Sequence, residues 1–331
     1  MKMFRHRISC FYQPVRVKLF VPLAIFALLL GGSQVCRAAF NLGGGENYAI
    51  LFEGVGGNTL QITNVTIKGN VGVATTGKAT DSGPSSITGA LNFSAANTGQ
   101  FSNNNASNLI TGGVHYSVAG VTSSMNFLNN LSLQLNVIDV NHSGTAISIS
   151  SNAGGTHNQV INAAAGMVFI INGQPVHVFD ATAFKNDGGN TLTINGAATD
   201  LVAINLGGLG NIQFHGGIKF TGGIAADNVL FNIGGGNYAT QTGAPSLDIN
   251  NNGGKAGIAQ GIFLDPNGAI SVVNAVVQGR VFGGDSHDFQ YVSGANITAP
   301  SVPDTGATIT LLTIAFIGIE GMRKVVRARK T

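Results

Sequence analysis

Short strand-like runs rich in Val, Ile, Leu and Phe, separated by Gly and Asn, fill the chain from residue 47 to residue 300. The first are NYAILFEG (47–54), LQITNVTIKGNVGV (60–73) and SSITGALNFS (85–94). Later ones are SLQLNVIDV (132–140), TAISIS (145–150), VHVFD (176–180), DLVAINL (200–206), NVLFNIGG (228–235) and a long run at 261–285. Glycine makes up 48 of 331 residues and Trp is absent, a composition that a disordered chain can share. A disordered chain would lack the recurrent apolar runs. Many short strands with Gly and Asn turns point to an all-β fold.

Two readings of that pattern compete. A β-sandwich gives many short strands. A β-solenoid, in which each coil stacks on the one before, also explains AISVVNAVVQGRVFG (269–283), where apolar residues stand closer than strict alternation allows. Ile67-Lys68-Gly69 returns as Ile87-Thr88-Gly89 twenty residues on, the length of one coil. Asn and Gly at the corners supply the left-handed backbone that tight bends require. The solenoid is the favoured reading.

Between 114 and 132 the period changes. Val118, Val121, Met125, Leu128 and Leu131 recur at three- and four-residue steps, which predicts one amphipathic helix. Ser123, Ser124, Asn126, Asn129 and Asn130 mark its polar side, and its apolar stripe is expected to pack on the sheet wall.

The charge lies at the ends. Six of the seventeen Lys and Arg fall in 1–38 and five in 323–330. Six basic residues against twelve acidic ones leave the body, 39–301, at −6, so it has no basic footprint for nucleic acid. Lys2, Arg5, Arg7, Arg16 and Lys18 precede the apolar run LFVPLAIFALLL (19–30), too short for the ~20 residues of a spanning helix. With Cys36 and Ala38 at the −3 and −1 positions this is a secretory signal peptide cut after Ala38, handing the chain to a secretion translocon. The alternative is an uncleaved anchor. Val35 before Cys36 argues against lipidation. Both cysteines leave with the leader, so the body depends on its own core.

The other end reads VPDTG (Val302, Pro303, Asp304, Thr305, Gly306), then an uncharged stretch to residue 319, then Arg323, Lys324, Arg327, Arg329 and Lys330. The positive-inside rule holds that basic end in the cytoplasm, so VPDTG would emerge at the outer face of the inner membrane. A plain membrane anchor and a sortase signal are the alternatives.

Candidate chemistry in the body is sparse. DINNNGG (248–254) places Asp248, Asn250, Asn252 and Gly253 at positions 1, 3, 5 and 6 of a calcium loop, but position 12 is Ala259 instead of Glu. A polar corner is the simpler reading. Asp285, His287 and Asp288 cluster in GGDSHDF (283–289), a weak candidate for a metal or acid–base site. Six basic residues scattered over the body are hard to assemble into a polysaccharide-lyase cleft, and nucleophile-elbow, zincin and P-loop motifs are absent. No cofactor is expected.

NYAILFEG, ITNVTIKGNVGV, GPSSITGALNFS and the later FLDPNGAISVVNAVVQGRVFGGD resemble the choice-of-anchor A and ice-binding-like bacterial surface domains. That resemblance implies a right-handed β-solenoid (β-helix) with one α-helix packed alongside, and no enzyme activity. The tail resembles a PEP-CTERM-type sorting signal of the VPDSG-like variant, with Thr305 in place of Ser. It implies an exosortase-type transpeptidase as partner, a transient stay in the inner membrane, and a Gram-negative host that makes extracellular polysaccharide. The resulting expectation is a secreted, non-enzymatic surface or matrix protein, structural or adhesive in an exopolysaccharide layer, that hydrogen-bonds polysaccharide through an Asn/Thr/Ser-rich face. Ice binding and a polysaccharide-active β-helix enzyme are the alternatives. Thr59, Thr63 and Thr66, or Thr191 and Thr193, form only short local Thr patterns.

Overall fold

A computed structural model describes residues 39–141, 143–150, 158–234, 246–250, 257–284 and 289–300. The chain divides into two compact units, 1–36 and 37–331, and all described residues belong to the second. The described part is mostly β, built almost wholly of parallel strands with one antiparallel pairing between Met167–Ile171 and Gln174–Lys185, and has one α-helix.

The strands form circuits of three. Tyr48–Phe52, Thr59–Thr63 and Thr66–Lys68 make the first circuit. Asn70–Val73, Lys78–Asp81 and Ser86–Ile87 make the second, each lying parallel to its counterpart in the first. Ile67 stands directly beside Ile87. The sequence run 60–73 therefore turns two corners, at Asn64 and at Gly69. Asn64, Asn274 and Ser293 occupy the same corner of three circuits, all with left-handed backbone (φ 56°, 48° and 58°). Asn tolerates that conformation better than most side chains.

Three faces result. We call them the helix face (from Tyr48–Phe52), the broad face (from Thr59–Thr63) and the narrow face (from Thr66–Lys68). Inward residues from all three interlock in one core, with Phe231 stacked on Phe263 at 5.2 Å between circuits.

The helix spans Ala119–Val140. It lies on the helix face and buries Val121, Met125, Leu128, Leu131, Leu135 and Ile138 against Leu51, Ala203, Leu230, Ile262 and Phe282. Each such side chain contributes about 1.5–3 kcal/mol of burial. The helix starts later than the predicted residue 114 and absorbs the strand expected at 132–140. The reason is that the three- and four-residue step continues through Leu135 and Ile138. Leu133 and Val137 gave the segment its alternating look, but they sit on the solvent side, 38% and 59% exposed.

The helix also sets the topology. At ~1.5 Å per residue it runs roughly 33 Å, most of the height of the stack. The circuits before it build toward one end, and the chain resumes at the other end with Thr145–Ser150 and works back. The last circuit, Val276–Gly283, Phe289–Val292 and Asn296–Thr298, closes between the circuit of Ala259–Asp265 and the first circuit of the chain.

Candidate functional site

Of the three faces, the helix covers one. The broad face is a seven-stranded parallel sheet running Ile212–Phe214, Leu247–Asn250, Ile270–Val273, Phe289–Val292, Thr59–Thr63, Lys78–Asp81 and Phe101–Asn103. Its inward residues are Leu247, Ile270, Phe289 and Leu60 in one file and Ile249, Val272, Tyr291 and Ile62 in the next, all buried. Strand alternation then points the intervening residues outward.

These outward residues are in register across all seven strands: Gln213, Asp248, Ser271, Gln290, Gln61, Thr80 and Ser102. Parallel strands lie ~4.7–4.9 Å apart, so the file repeats at that interval. A second file beside it holds Asn250, Val273, Val292 and Thr63. Among the described residues the centre of the face thus sets polar groups beside methyl-bearing ones and carries no charge. Charge among the described residues appears toward its margins. Asp248 is 3.1 Å from His215 Nε2, and Lys78 stands opposite Thr59.

The narrow face is less regular. Lys68 and Lys219 project from it. A depression of about 630 Å³ lined by Lys68, Phe220, Ile224, Gln260, Gln278 and Thr298 breaks it. Thr66 lies on this face, whereas Thr59 and Thr63 lie on the broad one, so the three are not one array. Thr191 and Thr193 also belong to the narrow face.

Burial raises the Tyr48 phenol, and three further buried polar groups carry perturbed protonation. Burial pushes Asp81 up to about 6, with a hydrogen bond from Ser85 pulling slightly the other way. Burial holds Asp265 well above the usual carboxylate range, against the backbone N–H of Gly268 that donates to Oδ1 at 2.9 Å. Burial likewise raises Tyr291 well above an ordinary phenol. All three side chains point into the circuits, and Asp81 and Tyr291 stand on the inward side of the broad-face strands, next to the outward residues Thr80 and Gln290. Another buried group, Arg280, donates to Tyr48 O at 2.7 Å, Pro300 O at 3.0 Å and Asp227 Oδ1 at 3.2 Å.

The sequence candidates fall as follows. Asp248 and Asn250 lie on a strand, two positions apart on the outward side, and Asp248 pairs with His215. The start of a calcium loop would instead be a turn. Asn252 and Gly253, the cluster Asp285, His287 and Asp288, the cleavage residue Ala38, the VPDTG motif and the basic residues from Arg323 to Lys330 lie outside the described residues. Among the described residues no group of three or more His, Cys, Asp or Glu could hold a metal ion. No helix among them is long and apolar enough to cross a membrane. The outward file, the His215–Asp248 pair and Arg280 went unnoticed in the sequence. The lone Arg280 inside the apolar run VVQGRVFG was the one legible signal.

No family model matches the chain, and no curated protein matches it. Among solved structures it is similar to the ice-binding protein of the Antarctic ascomycete Antarctomyces psychrotrophicus, at 17% identity over 80% of this chain and 100% of that one, with a TM-score of 0.46. It is also similar to a glycosylated ice-binding protein from an Arctic yeast (12% identity, 79% and 94% covered, TM-score 0.41). A third is the DUF3494 domain of an ice-binding protein from Shewanella frigidimarina (14% identity, 80% and 99% covered, TM-score 0.40).

The expected structural or adhesive role in an exopolysaccharide layer is corrected at this point. The solved structures named above are ice-binding proteins. Part of the Asn composition that suggested sugar binding is also spent internally. Asn186, Asn190, Asn205, Asn228, Asn232 and Asn267 are buried, several in bonds between circuits.

Proposed function

We propose that the body is a right-handed β-solenoid whose broad face adsorbs to ice. The observation that carries this is the file from Gln213 to Ser102, in register over seven parallel strands and uncharged between Asp248 and Ser102. Ice presents a rigid, repeating surface of donors and acceptors. A protein face that adsorbs to it needs repeating groups held by a rigid backbone, so that ordering costs little on contact. It also needs few ionic groups, because charges hold their own hydration. Val273 and Val292 beside Ser271 and Gln290 supply the apolar surface whose release from liquid water favours contact.

The broad face is supported over the narrow one because the latter carries Lys68 and Lys219 and is interrupted by a depression. The leader ending at Ala38 supports export. The 302–331 tail supports processing by an exosortase-type enzyme at the inner membrane. The exported protein is therefore expected to shape ice crystals and to give thermal hysteresis in a freezing-point osmometer. Unshaped hexagonal discs and no hysteresis would defeat the proposal.

A further inference from the structure

The chain enters and leaves its circuits at one corner. Tyr48 begins a strand on the helix face, paired with Asn70 just past Gly69. Pro300 follows Asn296–Thr298 at the end of the narrow face. Both carbonyls accept from the buried guanidinium of Arg280, which stands where its own strand passes from the narrow face to the helix face. The N-terminal segment runs along the same ridge, with Phe40 N–H donating to the Asp227 carbonyl. Three straight segments closing one circuit make a triangular section. In such a section the corner between the narrow and helix faces lies opposite the third side, the broad face.

We infer that this ridge is the attachment side of the molecule, so that a body tethered through either chain exit presents the broad face outward to ice. This rests on the ice-binding reading of that face. Arg280 fixes the direction of both exits, because its three bonds tie the first strand, Pro300 at the end of the last circuit and a circuit two steps along the stack to one side chain. A tether there leaves the outward file unobstructed, whereas a tether on the file itself would bury it against the support.

The test couples the full-length exported chain to beads through a single cysteine and a short linker, with Cys10 and Cys36 replaced by Ser. One variant carries Ser301→Cys, directly after Pro300, and the other carries Ser271→Cys, in the file. A third, Thr80→Cys, replaces Ser271→Cys if that variant misfolds by circular dichroism. Uptake of beads into a slowly advancing ice front is counted, beside adsorption of each variant free in solution with a dye on the same cysteine. The expected result is that Ser301-coupled beads enter the ice and Ser271-coupled beads are pushed ahead of it. Rejection of Ser301-coupled beads by ice that adsorbs the free protein would overturn the inference and leave the ice reading standing. Uptake of both kinds of bead, or no adsorption of free Ser301→Cys protein, would overturn the reading of the broad face and the inference with it.

Discussion

Asn232 donates its side-chain amide to Asn205 Oδ1 at 3.1 Å, one circuit away, and both residues are buried beneath the helix. Asn205 in turn donates to Asp180 Oδ1 at 2.9 Å and to the Leu135 carbonyl of the helix at 3.1 Å. Ser132 of the helix donates to Asn232 Oδ1 at 2.6 Å. The ladder thus joins three circuits to the helix through groups that water cannot reach. Replacing Asn205 with Leu removes the central rung and leaves the Asp180 and Asn232 side chains short of a partner. Each buried polar group left without one costs about 1–3 kcal/mol. Asn205→Leu is expected to lower the midpoint of chemical denaturation markedly despite its added apolar volume. An unchanged midpoint would show that the ladder contributes nothing.

The helix makes a sharper contrast. Leu128 is fully buried and Val137 is 59% exposed. Leu128→Ala is expected to cost about 2–5 kcal/mol, as large-to-small changes in a packed core do. Val137→Ser, in the segment that read as a strand, is expected to stay within about 0.5 kcal/mol. A costly Val137→Ser would place the helix's packed side wrongly.

Asp81 gives a pH dependence with a definite sign. Its carboxyl is raised from 3.8 to about 6 by burial, so the folded chain holds the proton more tightly than the unfolded one. The stability this supplies is complete below about pH 4 and is lost as pH rises through about 6. The span corresponds to something on the order of 3 kcal/mol. Urea denaturation of wild type between pH 4 and pH 7 should show that decline, and Asp81→Asn should flatten it. A wild-type profile rising across the window would contradict the burial of the ionised form.

How much of this was legible depends on the range of the interactions. The twenty-residue echo of Ile67 in Ile87 marks one circuit because stacked coils repeat their own inward residues. The helix announced itself by period until Leu133, Leu135 and Val137 imitated a strand. The order of the circuits left no local trace. Nothing near residue 119 says that the helix carries the chain to the far end, or that the last circuit closes on the first. Arg280 shows the same limit, since its acceptors at Tyr48 and Pro300 lie 232 and 20 residues away in sequence. The broad face escaped notice for a related reason. Its file draws Gln, Asp, Ser and Thr from seven separated strands and looks like no motif along the chain.

Arg280 is expected to be indispensable to the junction of first and last circuits. Arg280→Met leaves half-buried Asp227 and two carbonyls without their donor, and each buried polar group left without a partner costs about 1–3 kcal/mol. Arg280→Lys should recover only part of this, because a single ammonium cannot reproduce the directed fork of the guanidinium. Thermal denaturation and the rate of proteolysis near the chain ends would report it. Wild-type behaviour of Arg280→Met would show that the clasp is dispensable.

The most direct measurement is face-specific ice adsorption. Thr80→Tyr and Ser271→Tyr place a bulky ring in the outward file of the broad face, and Thr193→Tyr places the same ring on the narrow face. Thermal hysteresis is compared among variants whose circular dichroism and denaturation midpoints match wild type. The expected result is loss of hysteresis in Thr80→Tyr and Ser271→Tyr, with Thr193→Tyr indistinguishable from wild type. Retained hysteresis in both broad-face variants, or its loss only in Thr193→Tyr, would contradict the assignment of ice binding to this face.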